Sequence, residues 1–528
     1  MLAVLLAALL ALCALLVVAP PYLPSLGFPL DDAWLRAVYA RMLARTGSFA
    51  YNPGIPATGI TSPLWSLFCS LPYLLGASGP GGVLVITKLI GFGLHCSSTI
   101  ALYFALGEGR ESSLLRAAGA SLFAFHPAAV GAALSGMEIP LATLMACTLV
   151  CTARQGRLLP HLVASALAPL VRPELGLLCI ALPFLFFARR DRARLIITVS
   201  AAVVGVAIPF GLLAVRDLSL TGLVLPATFY AKVGRAQVSL FDAEVLGFDS
   251  LFSHVAIIDS SMLLTALTAT AAGTLLSISP AGRTAAAAFV AGLAYCAVSF
   301  GSVPPLDPDT FSYQRYMLPA LPLLVGPVPL LADLALRRWA RPAYRTPAMA
   351  ILAVLLVISL ATEVVPRYRR IANDARNIDD MQVAMGRVLS QTPASDVVWA
   401  SDAGAIRYFG NAFVVDLTGS NSPAMLTGRA RSFLDAHPPR YLEIVPGRLH
   451  LDERTQQRLR VRRFEASTSY TVTNFPEMSS QWLAICPPEL TDGKISVPLG
   501  RFDFTCAPAV TPSEGRGSTR QPLAEDHP

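Results

Sequence analysis

Charge is scarce in this chain. Of 528 residues only 14% are Asp, Glu, Lys or Arg, whereas 54% are hydrophobic. That balance excludes an ordinary soluble protein and points to a polytopic membrane protein. Several chemical signatures are missing too. There is no His-Glu-x-x-His, no Cys-x-x-Cys with partners, no P-loop and no Rossmann glycine pattern. No metal or cofactor is therefore expected, and nothing points to a nucleotide-linked donor. No internal repeat is evident. The net charge of +7 is not a nucleic-acid signal, because the arginines sit mostly in short loops between apolar runs, where they set topology. The cysteines are too scattered for a disulfide scaffold. Cys13, Cys69, Cys96, Cys147, Cys151, Cys179 and Cys296 lie in apolar segments and read as small buried hydrophobes.

Apolar runs are what the chain has in abundance. The first, Leu2 to Val18, has no Lys or Arg before it and runs into Pro20-Pro21, so it reads as a retained span. Others follow at 61–76, 83–106, 115–134, 137–153, 159–171, 174–188, 195–215, 255–278, 285–303, 315–336 and 347–365. Arginines sort them. Arg110 and Arg116, Arg154 and Arg157, Arg189 to Arg194, Arg283, and Arg337 to Arg345 should all be cytoplasmic. Two runs separate consecutive clusters. By that parity residues 21–60 lie outside and 61–76 cannot cross, so it should be an interfacial or re-entrant helix, as its Pro63 and Pro72 also indicate. The expected fold is mainly α, a polytopic helical bundle over 1–365 with about eleven spans and a cytoplasmic N-terminus.

Two adjacent carboxylates, Asp31 and Asp32, follow the first run. Behind them Leu35, Val38, Tyr39, Met42 and Leu43 recur at helical spacing with Arg36, Arg41 and Arg45 between them. That pattern suits an amphipathic helix lying along a membrane surface. Turn residues Tyr51-Asn52-Pro53-Gly54 and then Thr61-Ser62-Pro63-Leu64-Trp65 come next. In this order, Asp31-Asp32-Ala33, Tyr39-Ala40-Arg41, Asn52-Pro53-Gly54 and Thr61 to Trp65 resemble the first external loop of the GT-C superfamily of membrane glycosyltransferases. The likeness is greatest to the bacterial branch akin to mycobacterial arabinofuranosyltransferases, and more distant to protein O-mannosyltransferases.

The resemblance implies transfer of a sugar from a polyprenyl-phosphate donor to an envelope glycan, lipid or protein at the outer face of the bacterial inner membrane. Asp31 matches the first acid of the superfamily's acidic pair, which implies the base that deprotonates the acceptor hydroxyl. Asp32 would orient it or pair with Arg36 at i,i+4 spacing. Partial desolvation of two neighbouring acids would raise one from its usual ~3.9 toward usefulness as a base. Glu138, in Ser-Gly-Met-Glu, resembles the branch's Gly-Met-Glu turn. It reads either as an acid for sugar hydroxyls or a basic residue, or as a carboxylate at a helix start. Arg172-Pro173-Glu174 resembles the branch's Arg-Pro-Glu turn and reads as a substrate contact or a structural ion pair.

Leu225 to Lys232 reads Leu-Pro-Ala-Thr-Phe-Tyr-Ala-Lys, with Ala227 where the branch has Asn. It brings Tyr230 and Lys232 into the candidate set, Lys232 as a phosphate ligand or a snorkelling anchor. Arg315 is a second phosphate ligand by its two-pronged guanidinium, or else a topological anchor. Fixed cations would then stabilise the leaving group in place of a metal. His126, before Pro127, reads as a core histidine.

From 366 the composition turns polar. A helix over Arg367 to Leu389 and strands at Val397 to Ala400, Phe413 to Val415 and Arg440 to Val445 indicate a small α/β domain outside the membrane, 366–508. The remainder, 509–528, reads as a disordered tail. Cys486 and Cys506 are the cysteines outside the apolar runs. They flank two strand-like stretches, Ile495 to Val497 and Phe502 to Phe504, that would bring them close enough for a disulfide. A transporter or lipid flippase is the competing reading. It would explain the spans, but not acids gathered on one face, an external domain and the lack of a repeat.

Overall fold

Apolar sequence makes helices here, and proline and glycine decide where they stop. The computed structural model describes residues 27–77, 79–107, 113–187, 191–236, 280–301, 314–446, 449–473, 476–487, 489–497 and 499–507. The first apolar run, the run at 255–278 and the polar tail lie outside the described residues. Among those described, Pro80–Ala105, Arg192–Thr221, Gly282–Ser299, Leu318–Trp339 and Pro342–Leu389 are long and apolar enough to cross a membrane. Ser113–Ala124, Ile139–Gln155, Leu158–Val171 and Leu175–Phe187 are shorter apolar helices packed among them. The chain is thus mainly helical, with the build of a multi-pass membrane protein.

The expected run at 115–134 is broken. His126 caps a new helix, Pro127–Ala133, its ring Nδ1 accepting the Ala128 N–H at 3.2 Å. Proline fits the first helical position because it has no N–H to leave unpaired. The stretch at 61–76 forms Pro63–Leu74, twelve residues long. At 1.5 Å per residue it spans only about 18 Å, too short to cross a bilayer core.

The leading helix, Asp31–Thr46, stops at Gly47, whose φ of 69° lets its N–H cap the Leu43 carbonyl. Every residue from Ala33 to Ala40 is buried. The helix is therefore not a surface-lying amphipath. Arg36 is only 7% exposed, and Arg41 donates to the Tyr408 carbonyl at 2.9 Å while lying over that ring. Of its three arginines, Arg45 is the exposed one. The reason is tertiary: the C-terminal region covers the face that a membrane-surface helix would leave to water.

That region begins without a break. The helix Pro342–Ile378 passes through 365 and 366, continues as a π-helical turn, Asp379–Val383, and ends in Ala384–Leu389. Earlier, β1 (Ala50–Asn52) and β2 (Ile55–Pro56) form a small hairpin behind the leading helix. Then come β3 (Val397–Ala400), β4 (Phe413–Asp416), β5 (Tyr441–Ile444), β6 (His450–Leu451), β7 (Arg460–Glu465), β8 (Ser480–Ile485), β9 (Gly493–Val497) and β10 (Gly500–Phe504). One sheet has the order β4-β3-β5-β8-β7, with β3 parallel to both neighbours. A second sheet has the order β10-β9-β6. Cys486 and Cys506 are bonded to each other, with Cα atoms 5.4 Å apart.

Two contacts dock this region on the first loop. The Asn52 side chain donates to the Val414 carbonyl at 2.9 Å and accepts the Val414 N–H at 3.2 Å, standing in for a strand at the β4 edge. The turn Ser401–Ala405, at the carboxyl end of β3, packs on the first turn of the leading helix.

Candidate active site

Successive residues of a helix point about 100° apart, so neighbours can meet different surroundings. Asp31 turns toward the C-terminal region. Its Oδ2 accepts the Gly404 N–H and its Oδ1 the Ala405 N–H, both at 2.7 Å. Burial, then the nearby Asp402 carboxylate, raise its pKa to about 7 against the opposing pull of the two N–H groups. Asp32 turns toward the membrane bundle. Its Oδ2 lies 2.6 Å from Arg315 Nη1, and its side chain is 42% exposed.

The Arg315 pair opens a chain of charges. Arg172 donates to the Arg315 carbonyl at 3.2 Å, and both guanidiniums lie over the Tyr316 ring, at 5.1 and 5.0 Å. Arg172 also lies 3.6 Å from Glu138 and 3.4 Å from Glu174. Glu138 continues to Arg36 at 3.6 Å, and Arg36 donates to Thr61 Oγ1 at 3.0 Å. Burial by itself would raise the Glu138 pKa, but Arg36, Arg172 and Arg315 together hold it below the usual carboxylate value. Glu138 Oε2 and Arg36 Nε, the two atoms of that ion pair, are buried and lack a hydrogen bond among the described residues.

Six residues singled out in the sequence thus meet in one network: Asp32, Arg36, Glu138, Arg172, Glu174 and Arg315. Asp32 is paired with Arg315, and Arg36 with Glu138, instead of the two pairing along the helix. Tyr230 stands on Ala227–Ala236, with its ring edge-on to Phe229. That helix is tied to the first loop, since Ala227 donates to the Thr58 carbonyl at 3.2 Å and Thr228 to that of Gly59 at 2.6 Å. The small Ala227, fully buried, lets the backbones approach. Lys232 belongs to the same helix, and its side chain lies outside the described residues. Among the described residues no group of three or more His, Cys, Asp or Glu is arranged to hold a metal ion.

Comparison with solved structures bears on what this arrangement belongs to. The archaeal oligosaccharyltransferase AglB of Archaeoglobus fulgidus, in complex with an inhibitory peptide and a dolichol-phosphate, aligns with a TM-score of 0.53 at 11% identity, over 84% of this chain and 69% of its own. ArnT of Cupriavidus metallidurans, bound to undecaprenyl phosphate, aligns with a TM-score of 0.52 at 14% identity, over 90% of this chain and 97% of its own. The chain shares the fold of these two proteins. Residues 375–493 match a family described as a domain of unknown function (DUF8728). No curated protein sequence matches the chain.

Some site residues were not apparent from sequence. Asp402 and Gly404 reach the leading helix from more than 350 positions away, and Glu443 underlies their turn. The usable signal was local: a buried strand, Val397 to Ala400, followed by a polar turn with a glycine opening a helix. That pattern allows a backbone to come close to something.

Proposed function

We propose that the protein is a membrane glycosyltransferase that moves a sugar from a polyprenyl-phosphate donor to an envelope glycan, lipid or protein. The observation that carries this reading is the acid pair at the start of the leading helix, one acid near neutral pKa and the other held on Arg315, within a GT-C fold. Asp31 is the base. Each of its oxygens accepts one backbone N–H and keeps a lone pair for the acceptor proton. As the acceptor oxygen bonds to the anomeric carbon, the carbon–oxygen bond to phosphate breaks and polyprenyl phosphate leaves with the electron pair. Arg315, with Lys232, stabilises that charge. Asp32 holds Arg315 in place until the donor phosphate arrives. Glu138, Arg36 and the Arg172–Glu174 pair bind sugar hydroxyls beside it, and Tyr230 lines the donor side.

The same reading takes the chain as an arabinofuranosyltransferase-like inner-membrane protein of about eleven spans, with a cytoplasmic N-terminus and the C-terminal domain outside. A cysteine placed at Gly79 should then react with a membrane-impermeant thiol reagent from outside. Labelling only from the cytoplasm would reverse the orientation. Activity is tested with purified protein in detergent and a synthetic polyprenyl-phosphate sugar. Transfer to a supplied envelope extract, with release of polyprenyl phosphate, is expected. Donor moved intact across a vesicle bilayer without transfer would make the protein a flippase.

A further inference from the structure

The C-terminal region does more than cover the leading helix. Gly404 and Ala405 grip both oxygens of Asp31 with backbone N–H groups at 2.7 Å. The fit leaves no room at Gly404: an added Cβ would collide with the Asp31 backbone carbonyl and lie 2.7 Å from Asp31 Oδ2. The turn that makes this grip is fixed from several sides. Tyr51, on the first-loop hairpin, donates to the Ala403 carbonyl at 2.7 Å. Glu443 Oε2, on β5, accepts the Ser401 and Asp402 N–H groups at 2.6 and 3.2 Å. Asp402 Oδ2 accepts from Gln382 at 3.1 Å and Gln481 at 2.8 Å. Gln382 sits in the π turn Asp379–Val383, a distortion of the kind that gathers at functional sites.

Asp402 is therefore held near Asp31 by two amides. A carboxylate kept beside another carboxylate costs free energy. We propose that the Ser401–Ala405 turn is an integral half of the Asp31 site, with Gly404 and Asp402 as positioning residues that set where the Asp31 carboxylate lies and how readily it takes a proton. The proposal rests on the reading of Asp31 as base. It makes the docked C-terminal domain a requirement for turnover. The ionisable groups facing Asp31 are Asp402 from this turn, Asp32 from its own helix and Tyr51 from the hairpin. Burial and Asp402 are the leading upward influences on Asp31. Removing the Asp402 charge should then lower the pH at which Asp31 ionises.

The test uses the full chain in detergent with a synthetic polyprenyl-phosphate sugar, following release of polyprenyl phosphate across pH. Asp402→Asn should move the acid limb of the rate profile down by about one pH unit. Gly404→Ala should lower kcat about 100-fold with little change in the donor KM, the cost expected of moving a reacting group by about 1 Å. If Gly404→Ala does not fold, Asp402→Asn decides alone. Asp31→Asn is run beside them. An inactive Asp31→Asn together with an unmoved acid limb in Asp402→Asn overturns the positioning role and leaves the base intact. A uniform loss in Asp402→Asn with no movement of the limb marks a merely structural residue and also overturns it. An active Asp31→Asn removes the base, and the proposal with it.

Discussion

Asp31 and Asp32 are covalent neighbours, yet the two regions that receive them differ in electrical character. On the membrane side, Asp32, Glu138 and Glu174 are interleaved with Arg36, Arg172 and Arg315, so each carboxylate has a cation within 4 Å. On the C-terminal side, Asp31, Asp402 and Glu443 are held by backbone N–H groups, a hydroxyl and amides. There burial, then the charge of Asp402, raise Asp31 to about 7 and Glu443 to about 8. One region holds the Glu138 carboxyl below its usual range, and the other raises Asp31 and Glu443 above theirs. Such a split between paired acids is how one site assigns a base and a fixed charge.

The comparison breaks most visibly at Asp31. Asp31→Asn keeps the shape and removes the basicity, and should cut turnover by roughly 10²–10⁴-fold, the range for general-base catalysis. Release of polyprenyl phosphate measures it. Loss of less than about tenfold would fall below that range and shift the role to Asp32.

Glu138 is the point at which the cationic region comes apart. Glu138→Ala leaves Arg36 and Arg172 buried without the carboxylate between them, and should destabilise the protein by about 3–5 kcal/mol. Thermal unfolding in detergent reads this. An unchanged midpoint would mean that Glu174 and Thr61 suffice for the two guanidiniums.

Much of this was legible and some was not. The residues of the charge network were readable because each is a charged group in a short motif beside an apolar run: Asp31-Asp32, Met137-Glu138, Arg172-Pro173-Glu174, Arg315-Tyr316. Strands such as Val397–Ala400 and Tyr441–Ile444 showed as apolar β-branched or aromatic runs bounded by turns. What could not be read was who pairs with whom. The Asp32–Arg315 contact spans 283 positions and the Asp31–Gly404 contact 373, and no periodicity encodes either. The leading helix shows the same limit. Its apolar spacing with interleaved arginines suggested a membrane surface, but the helix is enclosed from two sides, with Arg36 held by Thr61 and Glu138 and Arg41 by the Tyr408 carbonyl of the C-terminal region.

A smaller effect sharpens the cationic side. Arg315→Ala removes charged hydrogen bonds to donor phosphate worth about 1.5–3 kcal/mol, or roughly 10–100-fold in donor affinity. Binding of a synthetic polyprenyl phosphate should weaken by that factor while acceptor use is little changed. Equal affinity in the variant would confine Arg315 to its structural pairing with Asp32.

The most direct measurement is the pH dependence of turnover in the native chain. A base must be ionised to work, and Asp31 is raised from an ordinary value of 3.8 to about 7. The rate should therefore fall as pH drops through about 7, with an acid limb that disappears into a flat baseline in Asp31→Asn. An acid limb near the ordinary carboxylate value of 3.8, or one that survives in Asp31→Asn, would contradict the assignment of Asp31 as the base.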